Sequence, residues 1–244
     1  MIPSLLPVIA VALSLSSSSQ ATAIHKGVCP ATSAWPGWSG IKHAFIFGDS
    51  YTTTGFNVSL TQPTPTNPLG NPAYYGHTAA NGPNWVDYLT VKYNASTVLP
   101  YNLAYGGATI NSALVAPYLP TVSSVAQQIE NKWFPAYAAQ DPVATWSPSD
   151  TLFAIFDGIN DVGNSWACST DKFNINNAVF AVYRGLVEEL YQAGARNFAF
   201  LNVPPVDRSP LALANSGSDQ ATEHTDIVAW NNALTKLAQL PVGF

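Results

Sequence analysis

Four short apolar segments rich in aromatic and β-branched residues alternate with stretches of helical periodicity, and each segment ends in a turn built from glycine, proline or asparagine. The segments are residues 43–47 (HAFIF) before Gly48, residues 98–104 before Gly106 and Gly107, residues 151–156 (TLFAIF) before Gly158, and residues 196–203 before Pro204. Between them, residues 84–93 read as a helix opened by Pro83, and residues 122–133 as a helix with Ser123 and Ser124 near its start. Val179, Tyr183, Leu186, Val187 and Leu190 fall on one face of a third helix that Gly194 stops. Ile227, Trp230, Leu234 and Leu237 mark a last helix before Pro241. Strands that alternate with helices are joined by right-handed crossovers into a parallel sheet covered on both faces. Such a sheet works at the carboxyl ends of its strands. The turns Gly48-Asp49-Ser50-Tyr51, Gly106-Gly107 and Gly158-Ile159-Asn160-Asp161 therefore converge on one edge.

A chain of 244 residues holds one large α/β domain. Charged residues are only 9% of it and apolar ones 47%, and the nine Lys and Arg form no patch. That distribution excludes a nucleic-acid binder, which clusters its basic residues. Residues 5–15 (LLPVIAVALSL) are apolar but too short to span a bilayer, and Ala21-Thr22-Ala23 follows in the small-x-small pattern of a cleavage site. Residues 1–23 are thus expected to be a signal peptide, and residues 24–244 a secreted domain with no membrane anchor. The sequons at Asn57 and Asn94 agree with that route. Cys29 and Cys168 either pair or stay single, and two cysteines exclude a Cys-rich zinc site or a CxxC redox motif. No HExxH, Gly-rich loop ending in Lys-Ser/Thr, or GxSxG is present, so neither a metal nor a cofactor is expected, nor an obligatory protein partner. The long Thr/Pro/Asn/Gly segment 52–83 has no period and reads as a binding wall.

The chemistry lies in the turns. A serine on a glycine-flanked turn at the end of a buried strand is placed to attack, and it then needs a base and donors for the oxyanion. Ser50 is the candidate nucleophile. Gly107 leaves its backbone N–H open to close approach, and Asn160 offers a side-chain amide. With the Ser50 N–H, these donors suit acyl transfer, and ester hydrolysis in particular. Asp161 reads as a residue that holds its turn.

The blocks FGDSY at 47–51, NLAYGG at 102–107 and GIND at 158–161 resemble three of the four signature blocks of the GDSL, or SGNH, hydrolases. FGDSYTTTGFN, NGPNWVDYL, YNLAYGGATI and LNVPP are similar in character to secreted fungal acetylesterases of carbohydrate esterase family 16, over residues 41–240. The resemblance implies a flavodoxin-like three-layer α/β/α sandwich, Ser50 as nucleophile, and Gly107 and Asn160 with the Ser50 amide as oxyanion hole. It also implies an acetylated carbohydrate or another small ester as substrate.

The fourth block, an Asp-x-x-His after a fifth strand, has no counterpart. The residues three before the four histidines are Thr22, Gly40, Tyr74 and Ala221. The expectation is a domain that stops before its last strand and its base, leaving an impaired esterase or an inactive carbohydrate-binding domain. A lipase that favours longer acyl chains is a third reading. His25 lies just past the cleavage point. His43 begins strand one, roughly 20 Å from Ser50 at ~3.3 Å per residue. His77 reads as a loop residue and His224 as the opening of the last helix, so no general base is identified. Among the aromatics, Trp35 and Trp38 either pack under the sheet, the favoured reading, or form a sugar-stacking platform; Trp85 is expected in the core, and Trp166 is the better candidate for a cleft wall among them.

Overall fold

The computed structural model describes residues 35–139, 142–168 and 172–239. The expected leader, His25, Cys29 and Pro241 lie outside them. Strand β1 (His43–Gly48) is buried from its second residue to its last, the pattern of a strand with both faces covered. It pairs in parallel with β2 (Leu99–Asn102) on one side and β3 (Thr151–Phe156) on the other. Strand β4 (Asn197–Phe200) adds to β3, giving the order β2-β1-β3-β4 with β4 at the edge.

Alternate side chains divide the core in two. Phe45, Phe47, Tyr101, Phe153 and Ile155 point into the larger half, built with α2 (Val125–Gln128), the π-helical turn Ile129–Trp133, α3 (Phe134–Tyr137), α5 (Lys172–Gln192) and α6 (Gly217–Gln239). Phe45 is its centre, with the rings of Tyr101, Trp133, Tyr137, Trp146 and Phe153 all 4.8–5.8 Å away. Ala44, Ile46, Leu152 and Ala154 point the other way, onto Val86 of α1 (Trp85–Asp87) with Ile41, Val98, Trp38 and Trp85. The chain moves from β1 to β2 by way of α1 on one face. It moves in the opposite direction, to β3 and β4, by way of α2–α3 and α5 on the other face. Reversing direction while keeping a right-handed crossover requires this change of face. The expected three-layer parallel α/β/α sandwich is the fold observed.

Local signals explain most boundaries. Asn84 caps α1 and Ser124 caps α2, each in a reciprocal capping box closed by the residue three later, Asp87 and Gln127. The structure adds one helix and extends another. A seven-residue α4 (Ile159–Ser165) follows β3 directly, where the sequence shows only a turn. Helix α6 begins at Gly217, ten residues before its first large apolar residue at Ile227, because its first turns carry Ser, Thr and Gln outside and bury Glu223 and Asp226 where apolar side chains would mark the pattern. His224 therefore sits inside the helix and not at its opening. Trp38 packs beneath the sheet as expected, whereas Trp35 is half exposed. Trp85 is only partly buried, and its Nε1 donates to Thr52 Oγ1 at 3.2 Å.

Candidate active site

Each of the three turns is fixed by a different set of contacts. At the end of β1, Gly48 has φ +149°, and a Cβ there would lie 2.1 Å from the Phe156 carbonyl oxygen, so only glycine lets β1 and β3 stay in register to this point. The buried amide of Gln128 brackets the same residue. The Gly48 N–H donates to Gln128 Oε1 at 3.0 Å, and Gln128 Nε2 donates to the Gly48 carbonyl at 2.9 Å. The Tyr51 N–H then donates to the buried Asp49 carboxylate at 2.9 Å, which curls the chain and leaves Ser50 half-buried at the tip.

The second turn lies against the first. A Cβ on Gly106 would be 3.9 Å from Ser50 Cβ. Gly107 has φ +82° and carries the ring of Tyr118 so closely that a Cβ would meet Cε1 at 2.2 Å. The third turn is fastened to the second. Asn160 Nδ2 donates to the Ala108 carbonyl at 2.8 Å, and the Ile110 N–H reaches both carboxylate oxygens of Asp161, at 3.2 and 3.1 Å. An amide NH₂ carries two protons, so Asn160 keeps one N–H beyond the Ala108 bond. Asp161 holds the turn, as expected. Gly158, with φ +121°, makes room for the indole of Trp230, which a Cβ would meet at 2.4 Å.

Ser50, Tyr51, Ala79 and Ala80 line a cleft of about 360 Å³. The long segment 52–83 thus supplies a wall, as its length and composition suggest. It is pinned by Asn84 Nδ2, which donates to the Thr52 and Thr53 carbonyls, and by Asn102 Nδ2, which donates to the Thr52 carbonyl at 2.7 Å. Trp166 does not line this cleft. It lines a groove of about 800 Å³ between α5 and α6, with Phe180, Ala229 and Lys236.

The floor of the site is acidic. Burial pushes Asp49 up to about 6 and Asp161 up to about 7. Burial, together with the neighbouring Asp49 and Asp161 charges, holds Asp157 well above the usual carboxylate range. None of this is legible in the sequence, where Asp157 is one more residue of a strand end.

Among the described residues no histidine hydrogen-bonds Ser50. His43 stands at the opposite end of β1, 3.6 Å from Asp150, and burial lowers its pKa. His77 is exposed with its ring against Gly55. His224 Nδ1 lies 3.0 Å from Asp207 Oδ2, on the 3₁₀ turn Val206–Arg208 that follows β4. This imidazole–carboxylate pair was not evident from spacing, because Asp207 lies seventeen residues upstream. Cys168 is exposed with a free thiol.

The family described as GDSL-like lipase/acylhydrolase matches residues 45–241, a span that contains all three turns. The chain belongs to that family. It is 44% identical over 195 residues to an acetylesterase of Thermothelomyces thermophilus, covering 79% of this chain and 64% of that protein. It is 29% identical over 174 residues to the thermolabile hemolysin of Vibrio parahaemolyticus, covering 70% of this chain and 35% of the hemolysin. The chain therefore spans less than two thirds of each relative. Among solved structures, an acetylxylan esterase from Geobacillus stearothermophilus superposes with a TM-score of 0.44 at 15% identity, over 83% of this chain and 74% of that one.

Proposed function

We propose that this member of the GDSL family is a secreted serine ester hydrolase that removes acetyl groups from carbohydrate esters, with Ser50 as nucleophile. The observation that carries the reading is the meeting of the three turns: Ser50 against Gly106, and Asn160 bound to Ala108 one residue beyond Gly107. Ser50 Oγ attacks the ester carbonyl. As the carbonyl oxygen becomes an oxyanion, it accepts from the Ser50 N–H, the Gly107 N–H and the second N–H of Asn160. The Ser50 hydroxyl proton passes by way of water to the departing sugar oxygen, so the sugar leaves as its alcohol and acetyl-Ser50 remains; water then hydrolyses it to acetic acid and restores the hydroxyl. The missing side chain at Gly107 makes room for the ring of Tyr118, which then borders the acyl group beside the Gly107 N–H.

The 44% identity to a protein named acetylesterase supports the acyl group chosen. Secretion rests on the apolar segment 5–15 and the Ala-Thr-Ala that follows it. With no imidazole in contact with Ser50 among the described residues, the serine keeps its proton at neutral pH and turnover is slow. The test is hydrolysis of a short aryl acetate by the purified chain beside Ser50→Ala and His224→Ala. Activity above background that disappears in Ser50→Ala supports the nucleophile, and its persistence in Ser50→Ala overturns it. Loss of activity in His224→Ala would assign the base to the His224–Asp207 pair.

A further inference from the structure

The first and third turns meet through two buried carboxyl groups. Gly48 and Phe156 are register partners at the ends of β1 and β3, and Asp49 and Asp157 are the residues that follow them as the two strands leave the sheet side by side. Each is 1% exposed. Asp49 has a use, since it accepts the Tyr51 N–H that shapes the nucleophile turn. Asp157 has none of that kind. Neither of its oxygens has a well-formed hydrogen bond from the described residues, and the adjoining Gly158 N–H, the weakest of the influences on it, is the one group that favours its charge. A carboxylate there would be a buried charge with little to compensate it, beside a second carboxylate, an arrangement that drives one of the two to keep its proton.

We propose that Asp157 remains protonated and donates its hydrogen to Asp49, so that one shared proton ties the turn carrying Ser50 to the turn carrying Asn160. The groups facing the pair agree. Asp161 on α4 is a further carboxyl that adds to the repulsion, and the Tyr183 hydroxyl on α5 is buried and held neutral by that burial. The cation at the start of α5, Lys172, acts on Asp161 and pairs with Asp226 at 2.7 Å. On the remaining side, α6 presents the neutral indole of Trp230 against Gly158. In this arrangement Asp157 is a positioning residue. It touches no substrate, and it acts by keeping Asp49 fixed beneath Ser50 while its own backbone leads directly into Gly158 and Asn160.

The positioning role rests on the reading of Ser50 and Asn160 as the reacting pair. The proton does not, and the test separates the two. Infrared spectra of the ¹³C-aspartate-labelled chain are recorded above the values of about 6 and about 7 to which Asp49 and Asp161 are raised. A protonated-carboxyl band that persists there and disappears in Asp157→Asn is expected. Its absence from the wild type, or its persistence in Asp157→Asn, overturns the proposal. Steady-state kinetics with the aryl acetate supply the second arm. An asparagine still donates an N–H to Asp49, so Asp157→Asn retains kcat. Asp157→Val removes the donor and is expected to lose on the order of 10²-fold in kcat with KM little changed, as misplaced groups do. A folded Asp157→Val with wild-type kcat overturns the positioning role. Should the wild type show the band yet no turnover, the esterase reading falls and the shared proton stands.

Discussion

Ser50, Gly107 and Asn160 differ in how strictly the structure constrains them. Ser50 is half-buried on a turn whose shape depends on Asp49 and Gln128. Gly107 is constrained twice, by its φ of +82° and by Tyr118. Asn160 is constrained by one bond to the Ala108 carbonyl, which aims the side chain but leaves a donor for substrate. Replacing Asn160 by Ala is expected to lower kcat for ester hydrolysis by about 10²–10³-fold, the scale for loss of one oxyanion donor. Steady-state kinetics check this, and an unchanged kcat would remove Asn160 from the oxyanion site. The meeting of the three segments was legible in the sequence because each carries a glycine soon after a strand end. Gln128, Tyr118 and Asp157 were not, because their roles depend on long-range contacts that leave no local pattern. Gln128 lies eighty residues from the glycine it brackets.

At the scale of elements, the strands and most helices follow from local rules. Residues 151–156 form β3 as read, and Gly194 follows α5 after a short turn. The missed element is α4, which is too short for a periodic pattern and includes Gly163. The misread start of α6 has the same physical origin: its first turns are polar and carry no apolar stripe, so periodicity begins only at Ile227. Helix α6 matters to the site because fully buried Trp230 fills the space that Gly158 leaves open. Trp230→Ala is expected to cost about 3–5 kcal/mol, as for other large-to-small changes in a core. Gly158→Ala is expected to destabilise as well, since its Cβ would overlap the indole and its φ is +121°. Urea denaturation of both variants measures this. A Gly158→Ala protein as stable as wild type would show that the indole does not set the position of the third turn.

For the molecule as a whole, the acidic floor dictates a pH dependence. Asp49 at about 6 and Asp161 at about 7 bind protons more tightly in the folded chain than in the unfolded one, and Asp157 does so more strongly still. Unfolding releases those protons, so stability is greatest on the acid side and declines as pH rises from about 4 through 6 and 7. His43, lowered by burial, and Asp150, lowered despite its burial by hydrogen bonds to Lys42 and Ser147, pull in the opposite direction, while Asp87, Glu189 and Glu223, raised by burial, add to the decline. The urea midpoint is therefore expected to be higher near pH 5 than near pH 8, and the Asp157→Asn variant is expected to lose part of that slope. A midpoint that rises with pH over this interval would contradict the burial assigned to the three carboxyls.

Ser50, where the three turns meet, is proposed as the acyl acceptor. The most direct test is mass spectrometry of the intact and digested chain after incubation with an aryl acetate. One acetyl group is expected on the peptide that contains Ser50, and none on the same peptide of Ser50→Ala. A folded wild-type chain that gains no acetyl group on this peptide, or one whose label survives in Ser50→Ala, would contradict it.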